Sequence, residues 1–332
     1  MPRDAAATVA DGRRSADVFA TVAPGLARVE ERLHGELGEA EGMLSTLGTH
    51  LLAGGKRLRP ALVLLSGALS GASLERLVPV AAACEIVHMA TLVHDDLVDA
   101  SDRRRGLPTV HAKWGVPMSV LIGDHLFAKA FAILAAEGDP VVVRLMSDVV
   151  SHTCAGEIEE ISTAWDLDVS LEGYMGRVEG KTGYFIGACC RMGAAVGGAP
   201  AAVVEALGAY GLGVGDCYQV VDDLLDLTAN EGVLGKPIGS DLRAGVYTLP
   251  VVWALHGTHG AELRRLLSER PVSDAGVVAV RQLLERSGAL AHAAQQALTL
   301  ARQAQGALEV LPQGAQRDAL HRLADELTRR VS

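Results

Sequence analysis

Residues 93–99 read Val93-His94-Asp95-Asp96-Leu97-Val98-Asp99, and the pattern returns as Val220-Val221-Asp222-Asp223-Leu224-Leu225-Asp226. At about 100° of rotation per residue, Asp95 and Asp99 stand about 40° apart on one helical face, with Asp96 at its flank. Asp222, Asp226 and Asp223 repeat the arrangement. Their neighbours Leu97, Val98, Leu224 and Leu225 are apolar, so both segments read as otherwise buried helices. Outward from them, Ala, Leu, Glu and Arg dominate long stretches with apolar residues three and four apart, which is helical patterning. Strand-like alternation is scarce. Turn signals fall at Gly54-Gly55, Arg105-Gly106-Leu107-Pro108, Gly138-Asp139-Pro140, Gly197-Gly198-Ala199-Pro200 and Gly235-Lys236-Pro237. They divide the chain into about ten helices with no linker between them. The predicted class is all-α. Residues 1–20, rich in Ala and Asp, read as a loose N-terminal segment, and 21–332 as a single domain. Two seven-residue segments do not by themselves establish a duplicated fold.

The chain has 332 residues, 49% hydrophobic and 4% aromatic, ample for a sizeable core. Forty acidic against thirty basic side chains give a net charge of −10. That balance excludes a basic phosphate-tracking surface, and so few aromatics exclude base stacking, so no nucleic-acid partner is expected. Five cysteines, without a C-x-x-C, indicate neither a disulfide framework nor a zinc knuckle. They read as small buried thiols in a reducing compartment. The N-terminus carries Asp4 and Asp11 and lacks the apolar core of a signal peptide. Ala61–Leu74 is uncharged but only fourteen residues long, and Gly245–Ala261 is interrupted by Pro250, His256, His259 and three glycines. A spanning helix needs about 20 mainly apolar residues. A cytoplasmic chain with no integral membrane segment is expected.

Three carboxylates on one helical turn repel one another, and burying them without cations costs several kcal/mol per ion. Hard oxygen ligands in pairs, with room for water and phosphate, suit Mg²⁺. One such cluster reads equally well as a solvated acidic face. Two, both in apolar helices, favour a metal. Gly54-Gly55-Lys56-Arg57-Leu58-Arg59-Pro60 sets three cations on a glycine turn, and Arg103-Arg104-Arg105-Gly106 follows the first aspartate cluster. Arginine forks match phosphate oxygens and lysine adds a point charge. Either run alone is equally an exposed basic turn; beside paired carboxylates both point to phosphate recognition. A G-x-x-x-x-G-K-[ST] nucleotide loop is absent. His88, seven residues before Asp95, lies about 20° from its stripe, and Gln219 precedes Asp222 by one turn. Alone, His88 reads as a hydrogen-bonded core histidine and Lys181-Thr182 carries no signal.

With these motifs the chain resembles the all-trans polyprenyl diphosphate synthases, from about residue 25 onward. The resemblance rests on the basic turn 54–60, the clusters 94–99 and 219–226 and the run 103–106. Gly123-Asp124, Gly156-Glu157, Lys181-Thr182, Gly235-Lys236-Pro237, Gly239-Ser240-Asp241-Leu242 and Thr248-Leu249-Pro250 complete the order. It implies an antiparallel helical bundle around a deep central cavity, usually in a homodimer. It implies that Asp95, Asp96, Asp99, Asp222, Asp223 and Asp226 hold Mg²⁺, three ions bridging an allylic diphosphate to both clusters. Arg104, Lys181 and Lys236 would touch that diphosphate; Lys56, Arg59, His88 and Arg105 would bind isopentenyl diphosphate; Thr182 and Gln219 would line the carbocation. Ionisation, condensation and elimination would follow, with the released diphosphate taking the proton. Tyr218-Gln219 replaces the usual Phe-Gln, and Glu160 stands where glutamine is common, with no role assigned.

Product length should depend on what blocks the space beneath the first cluster. Thr91, one turn before Asp95, and Cys84, about 16 Å lower, are both small. The family's usual floor position is Ala90, which helical geometry points away from Asp95. The stop then falls on another helix, with Phe127 or Phe131 as candidates that also read as ordinary core. A long-chain product is expected over a farnesyl or geranylgeranyl one. A non-catalytic subunit would have lost one of the motifs, and a terpene cyclase would carry a second metal motif rich in Asn, Ser and Glu.

Overall fold

The computed structural model describes residues 18–38, 43–52, 54–104, 106–228 and 238–329. Two compact units are each assembled from non-contiguous stretches of chain. One takes residues up to Val150 with Ala188–Gly208 and Val310–Leu320; the other takes Ser151–Gly187, Ala209–Glu309 and the stretch from His321.

Helices of the N-terminal half are α1 (Ala23–Gly38), α2 (Met43–Leu52), α3 (Leu58–Leu69) and α4 (Leu74–Val98). Two-residue strands β1 (Arg103–Arg104) and β2 (Leu107–Pro108) form an antiparallel hairpin, with Arg104 opposite Leu107. Then come α5 (Val110–Trp114), α6 (Val116–Glu137) and α7 (Pro140–Ser162). Helix α8 (Leu171–Val178) runs through a π-helical segment, Glu179–Gly183, into α9 (Tyr184–Val196); α10 spans Ala201–Thr228. The remainder is α11 (Ser240–Ala244), α12 (Leu249–Leu255), α13 (Gly260–Leu266), α14 (Asp274–Arg286), α15 (Ala289–Ala307) and α16 (Ala315–Thr328). The class is all-α. Helices outnumber the expected ten because short ones of five to eight residues, α5, α8 and α11–α13, fill stretches too brief for periodicity to register.

The first unit is organised around α4. Leu77, Val80, Ala81, Ala83, Ile86, Val87 and Ala90 are all buried, so α4 is apolar nearly all round, as a core helix must be. It packs along α6 and against α1 and α3. In the second unit α12 presents Leu249, Val251, Val252 and Leu255 to the interior and packs on α14 and α15. Proline at the start of α12 costs no hydrogen bond, because the first-turn N–H groups have no helical partner.

The structure adds to one sequence expectation and corrects another. Helices α4 and α6 are long and apolar enough to cross a membrane by length and composition, which the two stretches weighed from sequence were not. Helix α4 is largely enclosed by protein; most of α6 is not. Of the five cysteines, all free thiols, Cys84, Cys189, Cys190 and Cys217 are buried as expected, but Cys154 is exposed on α7. The segment expected to be loose lies outside the described residues up to residue 17. Val18 and Phe19 beyond it are buried.

Candidate active site

In the first unit the acidic cluster ends α4, with Asp99 as its C-cap. Asp95 is half-buried and Asp99 exposed, whereas Asp96 is only 5% exposed. Arg104 reaches back from the hairpin, its Nε donating to Asp96 Oδ1 at 2.7 Å. The hairpin is closed at Gly106 in the left-handed region and tied down by His50, whose Nε2 lies 2.8 Å from the Pro108 carbonyl oxygen. His94 projects toward α6, its ring 5.8 Å from that of Phe127. A Cβ at residue 123 would fall 1.9 Å from the His94 ring, which explains the glycine of Gly123-Asp124. His88 and Thr91 are half-buried on the stripe leading to Asp95, and Thr91 Oγ1 donates to the His88 carbonyl at 2.9 Å. Lower on that stripe, Cys84 is fully buried. Ala90 is fully buried as well, while Phe127 and Phe131 are half-buried on α6.

The three cations of the basic turn are not equivalent. Arg57 adopts φ +50°, and its guanidinium is spent on the fold. Nε donates to Glu30, Nη1 to Gly54 O at 3.1 Å and Glu85 Oε1 at 3.0 Å, and Nη2 to Leu52 O at 3.2 Å. Its charged form is stabilised by these two acids against the burial that opposes it. Lys56 is exposed and Arg59 half-buried at the start of α3.

In the second unit a chain of hydrogen bonds, part-buried to buried, links three of the expected residues. Thr182 Oγ1 donates to Gln219 Oε1 at 2.9 Å, and Gln219 Nε2 donates to Asp223 Oδ1 at 2.8 Å. The other oxygen of Asp223 accepts from Tyr174 at 2.6 Å. Burial pushes the Asp223 carboxyl up to about 7, although both donors oppose the rise. Desolvation and the same carboxylate hold the Tyr174 hydroxyl well above its ordinary range. Asp226 accepts from Ser240 Oγ at 2.6 Å, so the conspicuous Gly239-Ser240-Asp241 run starts α11 against the cluster. Asp222 alone of this cluster is exposed. Lys181, in the π segment, donates to Glu160 Oε1 at 2.8 Å and stands 2.8 Å from Glu157 Oε2. Arg105 and Lys236 lie outside the described residues.

Sequence reasoning missed Tyr174 and the acid partners of Lys181 and Arg57. Glu157 and Glu160 share a helical face at three-residue spacing, a signal available beforehand. Tyr174 lies 49 residues from Asp223, and nothing local announces it.

Acidic helix ends, basic turns and an all-α frame fit an enzyme that handles diphosphates, and the fold is that of the isoprenyl synthases. The chain belongs to the polyprenyl synthetase family, whose model matches residues 41–284, and is a trans-prenyltransferase. It is 42% identical over 239 residues to component 2 of heptaprenyl diphosphate synthase from Geobacillus stearothermophilus, covering 72% of this chain and 75% of that one. It is 39% identical to the nonaprenyl diphosphate synthase of Mycobacterium tuberculosis over 96% of this chain and 97% of that one. A geranylgeranyl diphosphate synthase of Methanosarcina mazei matches at 40% identity over 84% of this chain and 86% of that one. The crystal structure of a Caulobacter crescentus polyprenyl synthase, complexed with calcium and isoprenyl diphosphate, superposes with a TM-score of 0.90. It is 33% identical, over 96% of this chain and 98% of that chain.

Proposed function

We propose that this enzyme condenses isopentenyl diphosphate with an allylic diphosphate to give a long-chain all-trans polyprenyl diphosphate, as one synthase domain over 21–332. The observation that carries the chain length is the stripe beneath Asp95: Thr91 and Cys84 are small, and the buried neighbour Ala90 offers no bulk either. Phe127 and Phe131, half-buried on α6, are the candidate stops.

The family is Mg²⁺-dependent. Within each cluster the residue types fit a hard cation: Asp95 and Asp99 in the first, and Asp222 in the second, are the more accessible carboxylates. Asp96, Asp223 and Asp226, which complete the proposed metal-holding set, are held in place by Arg104, by Tyr174 with Gln219, and by Ser240. Among the described residues no three acidic, His or Cys side chains enclose an ion by themselves. A cation held there would take waters and substrate phosphate oxygens as its remaining ligands. When bound, Mg²⁺ supplies Lewis-acid stabilisation of the leaving diphosphate; three ions are expected. Arg104, Lys181 and Lys236 bind the allylic diphosphate, and Lys56, Arg59, His88 and Arg105 bind isopentenyl diphosphate. Thr182 and Gln219 hold each other in one orientation and present uncharged dipoles, which stabilise a carbocation without capturing it.

Incubation with both diphosphates and Mg²⁺, followed by mass analysis of the dephosphorylated product, tests this directly. Products of seven or more isoprene units are expected, and Asp95→Ala or Asp222→Ala should abolish them while leaving the far-ultraviolet circular dichroism unchanged. A farnesyl or geranylgeranyl product would establish the short-chain alternative. A cytoplasmic homodimer is proposed, with the exposed apolar residues Val116, Val120 and Leu121 of α6 as its contact. The similarity to a synthase component favours, as second reading, assembly of this catalytic chain with an unlike subunit.

A further inference from the structure

Lys181, the proposed diphosphate anchor, is already engaged by two carboxylates. Its Nζ donates to Glu160 at 2.8 Å and stands 2.8 Å from Glu157, with all three side chains largely shielded from water. The geometry is built in. Glu157 and Glu160 occupy one face of α7 at three-residue spacing. The backbone of the π segment reaches that face because residue 156 is glycine: a Cβ there would meet Lys181 N at 3.0 Å and Gly180 C at 3.3 Å. The pair of acids raises the Lys181 pKa against the burial that opposes it, so its charge is permanent. The trio nevertheless carries a net charge of −1 where an anion is to bind.

We propose that Glu160, with Glu157 in support, sets the affinity for the allylic diphosphate by competing with it for Lys181. The inference rests on Lys181 being a diphosphate ligand. Binding exchanges one Lys181 partner: the ammonium leaves Glu160 and turns to a phosphate oxygen, and no covalent bond changes. The uncharged amide of glutamine at 160 would keep the shape and release the lysine, whereas glutamate makes the substrate displace an ion pair first. The enzyme therefore holds its allylic substrate more weakly than its cation inventory suggests, which suits a synthase that must rebind and release a growing product.

The test is steady-state kinetics of Glu160→Gln and Glu157→Gln, with calorimetric binding of inorganic diphosphate in the presence of Mg²⁺. Glu160→Gln should lower KM for the allylic diphosphate about three- to tenfold, the worth of one partly shielded ion pair. Its kcat should change less than twofold, and inorganic diphosphate should bind more tightly by the same factor. Lys181→Gln should raise both constants. If Lys181→Gln leaves both unchanged, lysine is not a diphosphate ligand, and the underlying reading fails together with this one. If Lys181→Gln weakens binding while both glutamate variants leave it unchanged or weaken it too, the carboxylates position the lysine rather than compete, and the inference alone is overturned. Loss of cooperative unfolding in both glutamate variants would show a purely structural role and overturn it as well.

Discussion

At the scale of single residues, the second unit spends its acids unequally. Asp223 is held by two donors, but Asp216, two turns earlier on α10, is buried with no hydrogen-bond partner for Oδ1 among the described residues. It sits at a crossing of bare backbone: a Cβ on Gly183 would fall 2.1 Å from Asp216 Oδ1, and one on Gly215 would fall 2.7 Å from Gly183 Cα. Burial, with Glu179 adding to it, pushes the Asp216 carboxyl from 3.8 up to about 7. The folded state therefore binds this proton more tightly than the unfolded chain. Its contribution is fully favourable below about pH 4 and is lost as pH rises toward 7. Asp216→Asn removes the titration. The variant should be more stable than the parent at pH 8 by a few kcal/mol, with the gap closing toward pH 4. The scale follows from proton affinity, since a tenfold difference between the folded and unfolded chain is worth about 1.4 kcal/mol. Urea unfolding at the two pH values reads this, and an equal gap at both would assign the effect to packing instead.

At the scale of elements, the basic turn shows what a local reading reaches and where it stops. Gly54-Gly55 and Pro60 announce a turn followed by a helix, and α3 begins at Leu58, two residues before the proline. The run also announces three cations but not their division of labour, because the acids that claim Arg57 lie 27 and 28 residues away in α1 and α4. Asp95 and Asp99 were legible for the opposite reason: a helical face needs only their spacing. The π segment was not, since one widened turn between α8 and α9 leaves no periodic trace, and Glu160 was seen only as a departure from a pattern. Arg57 thus clasps α1, the glycine turn and α4, and Glu85 beneath it is almost wholly buried. Arg57→Met leaves that carboxylate unpaired and should cost about 3–5 kcal/mol of stability. Adding Glu85→Leu should restore a good part of the loss, because no buried charge then remains. Thermal unfolding of the single and double variants measures both, and a double variant no better than the single one would remove Glu85 from the account.

At the scale of the whole molecule, the charge of −10 and the apolar face of α6 act on the same equilibrium. Part of the acid excess belongs to the six clustered aspartates, and the rest makes two copies of the chain repel each other. Against this, α6 exposes Val116, Val120 and Leu121, with Leu121 64% accessible. Exposed apolar residues grouped on one stretch of helix fit a protein contact, and a stable one buries at least about 1,000 Å² in total. If two copies meet there, their repulsion is screened by salt while the apolar contact is not. The association should therefore tighten between about 0.05 M and 0.5 M salt, as the Debye length falls to a few ångströms. Leu121→Glu puts two further negative charges into the contact, one from each copy, and should give a monomer at micromolar concentration by light scattering while leaving the helical content intact. A chain that is monomeric at every salt concentration, and gains activity only when an unlike subunit is added, would instead assign the α6 face to that partner.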